Sequence, residues 1–148
     1  MNHTDAGAAF TELLLEAFRF NGALLAAGDQ LTSDVGLTSA RWQVMGMLDG
    51  RAAPVPNIAR EMGLTRQGVQ RTVNILEKEG LVELRENPHH KRAKLVALSP
   101  EGRRRLTLVA NDQAQWANTM TDDADAAQLR AALNVIRTLR IKIEKETA

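Results

Sequence analysis

Residues 55 to 94 read VPNIAREMGLTRQGVQRTVNILEKEGLVELRENPHHKRAK, and no other stretch restricts the fold as strongly. Two short amphipathic segments meet at Met62-Gly63-Leu64-Thr65, after which two β-prone runs flank a basic turn. Helix, tight turn, helix, strand, turn, strand is the order of a winged helix-turn-helix. The spacing predicts a mainly α chain with a small β-hairpin wing.

The segment from Thr65 to Gly80 is the most defined element. Thr65 is placed to cap its start, and Gly80 stands where a left-handed residue closes a helix. At about 100° per residue, Val69, Val73 and Leu76 share one narrow stripe, while Gln67, Gln70, Arg71, Asn74 and Lys78 lie opposite. Amide and guanidinium side chains make forked hydrogen bonds to base edges in a major groove. No acid occurs between Met62 and Leu76 to repel phosphate, whereas an ordinary solvated face mixes in Glu.

Upstream, Asn57 to Met62 predicts a helix of about two turns that braces the reading helix, with Ile58 and Met62 on one side. Ala59 and Gly63 supply small residues where the two helices are expected to approach closely, and Pro54 and Pro56 bound the segment on its N-terminal side. Downstream, Leu81 to Arg85 alternates apolar and polar residues, and Lys94 to Leu98 does so more loosely, so each reads as one arm of a hairpin. Asn87-Pro88-His89-His90-Lys91-Arg92 between them has turn composition and an acid-free cationic tip. Lys91, Arg92 and Lys94 are suited to phosphates, and an arginine at such a tip fits a narrow minor groove.

The outer segments predict long helices. Ala8 to Leu31 carries Phe10, Leu13, Leu14, Ala17, Leu24 and Leu25 at helical spacing, and Asp29 to Gly36 breaks the pattern. After the cap Thr38, a helix turns Trp42, Met45 and Leu48 toward a core and ends at Asp49-Gly50. Beyond Ser99-Pro100-Glu101 the pattern resumes from Gly102 to Met120, and a last helix, about Asp123 to Lys145, has Leu129, Leu133, Ile136 and Ile143 on one stripe. Terminal helices with apolar stripes would leave large hydrophobic patches on a monomer, which predicts a twofold homodimer. Two reading helices related by that axis would address half-sites about one helical turn apart on double-stranded DNA, a near-palindromic operator. The expected organisation is a single domain over 1–148, with dimerisation helices at about 8–31 and 100–146 and a DNA-binding lobe at about 37–98.

Composition narrows the alternatives. A chain of 148 residues, 44% hydrophobic, holds one core with no room for a separate catalytic domain. The absence of cysteine excludes disulfides, thiolate metal sites and cysteine-based peroxide sensing. MNHTDAGAAF lacks the basic start and apolar block of a signal peptide, and no apolar run approaches a membrane span, so a cytoplasmic protein with no membrane partner is expected. Net charge is +1, yet from Arg60 to Arg105 11 Lys or Arg face 6 Asp or Glu, a local +5 that leaves −4 to the remainder.

Competing constellations are weaker. Asp122-Asp123-Ala124-Asp125 lacks the glycine and terminal glutamate of a calcium loop, so Thr121 and these aspartates are expected to cap the last helix. His89 and His90 are adjacent in a turn with no further His or Cys nearby, a poor metal site. No phosphate-cradling glycine loop, nucleophile elbow or triad pattern occurs, and neither an enzyme nor a cofactor is expected.

LTSARWQVMGMLDG, NIAREMGLTRQGVQRTVNILEKEGLVE and ENPHHKRAKLVALSPEGRR together resemble the multiple antibiotic resistance regulator (MarR) family of bacterial repressors, over nearly the whole chain. The resemblance implies a triangular homodimer in which N- and C-terminal helices interlock and two winged lobes face DNA. Carried onto this sequence, it implies Arg66, Gln67, Gln70, Arg71 and Asn74 as major-groove or phosphate contacts, with Arg92 in the wing. One departure is the His90-Lys91-Arg92 run, where the family often has an acid before its arginine pair. The implied function is a sequence-specific transcriptional regulator, usually a repressor, adjusted by a small molecule between the DNA lobes and the dimer helices. Phe18, Arg41 and Trp42 are candidates to line that pocket, with a core role for Trp42 as the alternative. A DNA-binding protein without effector and a protein-interaction module that has lost DNA binding are the other readings; the acid-free face opposes the second.

Overall fold

The computed structural model describes residues 2–148 and divides into two compact units, the first running to Asp112 and the second from Gln113 to Ala148. In chain order the elements are α1 (Asp5–Thr32), one 3-10 turn (Ser33–Val35), α2 (Ser39–Met47), α3 (Val55–Met62), α4 (Arg66–Lys78), β1 (Val82–Arg85), β2 (Leu95–Leu98), α5 (Pro100–Met120) and α6 (Ala126–Thr147). This is the mainly α, winged helix-turn-helix architecture that the periodicities predicted.

The core of the first unit is apolar and continuous. Val44, Met45 and Leu48 from α2, Ile58 and Ala59 from α3, and Val69, Val73 and Leu76 from α4 are buried together with Leu81, Val82, Val96, Leu98 and Val109. The stripe read on α4 is therefore the face it buries, and its polar side remains in solvent. Trp42 packs partly buried against this core.

Two helix ends explain the sharp entry into and exit from α4. Gly63 (φ 65°) and Gly80 (φ 73°) adopt the left-handed conformation, which costs a residue with a Cβ roughly 1–2 kcal/mol. In each case the glycine N–H and the next N–H turn back to helix carbonyls: Gly63 to Arg60 and Leu64 to Ala59, Gly80 to Glu77 and Leu81 to Leu76. Gly63 thus serves the turn; a Cβ there would meet nothing within 4 Å, so the close helix approach expected at Gly63 is not its role. Helix α3 also begins two residues before the expected Asn57, because Pro56 sits in its first turn, where a missing N–H costs nothing.

β1 and β2 pair antiparallel from Val82 opposite Leu98 to Arg85 opposite Leu95. Ala53 adds a one-residue bridge on the other side of Val96, with bonds of 3.0 and 2.9 Å. β2 is therefore the middle strand, and Val96, Ala97 and Leu98 are all buried, which accounts for its loose alternation. Ser99 welds hairpin to α5: its hydroxyl donates to the Gly80 carbonyl (2.6 Å) and accepts from the Gly102 N–H (3.0 Å), while its own N–H donates to the Leu81 carbonyl.

The N-terminal end of α2 docks on α1. The Ser39 N–H donates to Asp29 Oδ1 (2.7 Å), and its hydroxyl donates to the Leu25 carbonyl. Further along α1, Leu13, Leu15, Phe18, Phe20, Leu24 and Leu25 are exposed.

In the second unit, the end of α5 is followed by a turn and then α6. Asp125 caps α6 through a bond from the Ala127 N–H (2.8 Å). Thr121 does not share that role, since its hydroxyl donates back to the Ala117 carbonyl (2.8 Å) and is consumed in finishing α5. No residue of α6 is buried, and Leu129, Leu133, Val135, Ile136, Ile141 and Ile143 are all solvent-exposed.

Candidate nucleic-acid interface

Thr65 starts the reading helix by accepting the Gly68 N–H at 3.0 Å, as its position predicted. Burial of Val69, Val73 and Leu76 then leaves Arg66, Gln67, Gln70, Arg71 and Asn74 exposed on the opposite side of α4. The periodicity that fills the core and the periodicity that builds the reading face are the same one.

Several arginines of the first unit are held in ion pairs. Arg41 pairs with Glu79 (3.1 Å), Arg51 with Glu61 (2.6 Å), Arg103 with Asp49 (3.7 Å), and Arg104 and Arg105 with Glu101 (2.8 and 3.0 Å). Among the described residues, none of Arg66, Arg71, Lys91, Arg92 and Lys94 forms an ion pair. Arg41, Arg51 and Arg103 tie separate segments of the first unit to one another and Arg85 pairs with Glu83 within β1 (3.7 Å), while Arg66, Arg71, Lys91, Arg92 and Lys94 are left with their charge uncompensated. Uncompensated surface cations are what a phosphate backbone recruits, because each one neutralises a phosphate and releases a counterion.

The Glu101 carboxyl sits well below its ordinary 4.5, at about 2, through the hydrogen bond from Arg104 first and from Arg105 next. The same contact raises Arg104. Arg105 also donates to the Val35 carbonyl (3.2 Å), so this cluster joins the start of α5 to the 3-10 turn.

The wing is organised by a residue whose importance exceeds its role as turn initiator. Asn87 Nδ2 donates to the Ala93 carbonyl (2.9 Å), closing the loop across six residues, and Asn87 Oδ1 accepts the His89 N–H (3.0 Å). Lys91, Arg92 and Lys94 are exposed around it. The Asn-Pro pair was the only sequence signal, and it marks a turn without revealing that the side chain spans it. On the reading helix, too, sequence spacing did not reveal that Gln70 Nε2 donates to Asn74 Oδ1 at 2.8 Å.

The three candidate pocket residues differ in situation. Arg41 is engaged by Glu79 and by the Gly36 carbonyl (3.4 Å), and Trp42 packs against the core. Phe18 is 75% exposed, about 10 Å along α1 from the Leu25 turn where α2 docks. Surface hollows of about 520 and 600 Å³ are lined by other residues, the first by α1 from Ala9 to Arg19 and the second by Arg85, Leu98, Pro100, Arg103, Arg104, Thr107 and Leu108. Among the described residues no group of three or more His, Asp or Glu is placed to hold a metal ion, and no helix is long and apolar enough to cross a membrane.

A capped reading helix with an acid-free polar face, braced by a shorter helix and followed by a basic hairpin, defines a winged helix-turn-helix protein. Residues 35–93 match the model of the MarR family, and the chain belongs to that family. An uncharacterized protein of Mycobacterium tuberculosis, Rv2011c, is 37% identical over 134 residues, covering 90% of this chain and 94% of the relative. The crystal structure of a mutant MarR from E. coli complexed with operator DNA superposes with a TM-score of 0.78 at 16% identity, covering 92% of this chain and 99% of that one. CouR from Rhodococcus jostii RHA1, in a crystal structure bound to p-coumaroyl-CoA, gives 0.74 at 22% identity, covering 82% and 86%.

Proposed function

We propose that this chain is a sequence-specific DNA-binding transcriptional regulator that acts in the cytoplasm as a homodimer, represses by occupying a near-palindromic operator, and responds to a small molecule. The observation that carries the DNA-binding part is that Arg66 and Arg71 on α4 and Lys91, Arg92 and Lys94 at the wing tip form no ion pair among the described residues and stand on an exposed surface. Arg66, Gln67, Gln70, Arg71 and Asn74 are the major-groove side, and Lys91, Arg92 and Lys94 the flanking side. The MarR–operator complex supports this assignment by sharing the fold.

The dimer follows from the exposed apolar residues of α1 and α6, which a second subunit would remove from water. The effector follows from the likeness to CouR, a protein of this fold bound to an aromatic acyl thioester. Ligand binding would favour dimers whose reading-helix separation no longer fits successive grooves.

Selection of bound fragments from genomic DNA by the purified protein tests the reading directly. The expected result is enrichment of inverted-repeat sites with half-site centres about one helical turn apart. Retention of all fragments alike, or of none at low salt, would refute it. Titration with aromatic carboxylates and their thioesters, followed by the fluorescence of Trp42 and Trp116 and by operator affinity, separates an effector-controlled regulator from one set only by its abundance.

A further inference from the structure

Gln70 and Asn74 lie one turn apart on α4, at the i, i+4 spacing that brings helix side chains together, and Gln70 Nε2 donates to Asn74 Oδ1 at 2.8 Å. Both are exposed on the acid-free face. Among the described residues no other side chain bonds to either amide.

The bond bears on what Gln70 reads. A free glutamine amide exchanges its donor and acceptor ends by half a turn about its last torsion, which is broad and nearly two-fold. It therefore offers a donor and an acceptor in either order, or a donor alone to a purine with two acceptors. While Asn74 presents Oδ1 to it, exchanging the ends of Gln70 alone would place Oε1 against Asn74 Oδ1, oxygen facing oxygen. In this pairing the Gln70 amide is left with Oε1 and the second Nε2 hydrogen, one acceptor beside one donor. In the major groove that pair complements adenine, whose N6 donates and N7 accepts, and it mismatches guanine, whose O6 and N7 both accept.

We propose that Asn74 is a positioning residue that locks the Gln70 amide and makes Gln70 an adenine reader in each half-site. The inference rests on the DNA-binding reading above and goes beyond it by naming the base and the device.

The test is selection from a randomised duplex pool by the full-length protein and by Gln70→Ala, Asn74→Ala and Asn74→Asp, with circular dichroism melts confirming that each variant is folded. The parent is expected to prefer adenine over guanine at one position of each half-site by roughly 10- to 100-fold. Gln70→Ala and Asn74→Ala should both lose that preference at the same position. Asn74→Asp keeps an acceptor for Gln70 and should retain the preference, while its added negative charge weakens binding to every sequence. Undiminished adenine preference in Asn74→Ala, or its loss in Asn74→Asp, overturns the locking role. Enrichment by the parent without a Gln70-dependent adenine overturns the inference alone, whereas no enrichment by the parent removes the DNA-binding reading and this inference with it.

Discussion

Individual side chains on this surface were legible to different degrees. The exposed set Arg66, Gln67, Gln70, Arg71 and Asn74 was visible in the sequence because a helix repeats every 3.6 residues and the buried Val69, Val73 and Leu76 mark the opposite face. Replacing Arg71 with Ala should weaken operator binding by about 1–3 kcal/mol where it reads a base, and leave the melting temperature nearly unchanged, since the side chain is exposed and unpaired. Equal affinities of parent and variant in a fluorescence-anisotropy titration would remove Arg71 from the reading set. For Arg92, truncation to Ala should lower the slope of log affinity against log salt by about one if the wing meets phosphate. A wing that stays clear of the backbone would leave the slope as it was. Asn87, by contrast, was legible only as a turn residue, because the Ala93 carbonyl it spans to is placed by the closed hairpin and by nothing in the local sequence.

Elements were legible where their ends are chemically marked. Thr38 and Thr65 cap helices through their side chains, and Asp125 caps the last one, all from the short polar residues that favour such positions. The junction of hairpin and α5 was not marked in this way. A Cβ at Gly102 would run into the Leu81 backbone carbonyl, and neither a Cβ nor a carbonyl can yield by changing rotamer. Gly102→Ala should therefore cost roughly 1–3 kcal/mol of stability by overpacking, despite the better helix propensity of alanine. Chemical denaturation of the two proteins measures it, and a gain in stability would mean that α5 shifts without cost. The same helix start carries the acid-resistant contact. Because Glu101 is held at about 2 when folded, against an ordinary 4.5, its contribution is complete above about pH 4.5 and is lost as pH falls through about 2. Carboxyl chemical shifts followed from pH 6 to 2 should show Glu101 titrating after the other glutamates, and Glu101→Gln should remove that late step.

At the scale of the whole molecule, the largest consequence is the apolar surface of α6. Ile136 is 51% exposed and Leu133 43%, in a helix with no buried residue at all. Placing charges there, as in Leu133→Glu with Ile136→Glu, should shift the protein from dimer to monomer in sedimentation velocity and weaken operator binding, because two linked half-site contacts become separate ones. A double variant that sediments like the parent would locate the interface elsewhere.

What the sequence determined by itself was the succession of helices and strands and the division of α4 into a buried and a reading face. Both follow from interactions between residues a few positions apart, whose geometry is the same in any protein. The tertiary structure decided which charges are spent on partners distant in the chain. Arg41 meets Glu79 across 38 residues and Arg105 meets Val35 across 70, and only a folded core brings such partners within hydrogen-bonding distance. That same fold leaves Arg66 and Arg71 on α4 and Lys91, Arg92 and Lys94 at the wing tip outside every ion pair among the described residues.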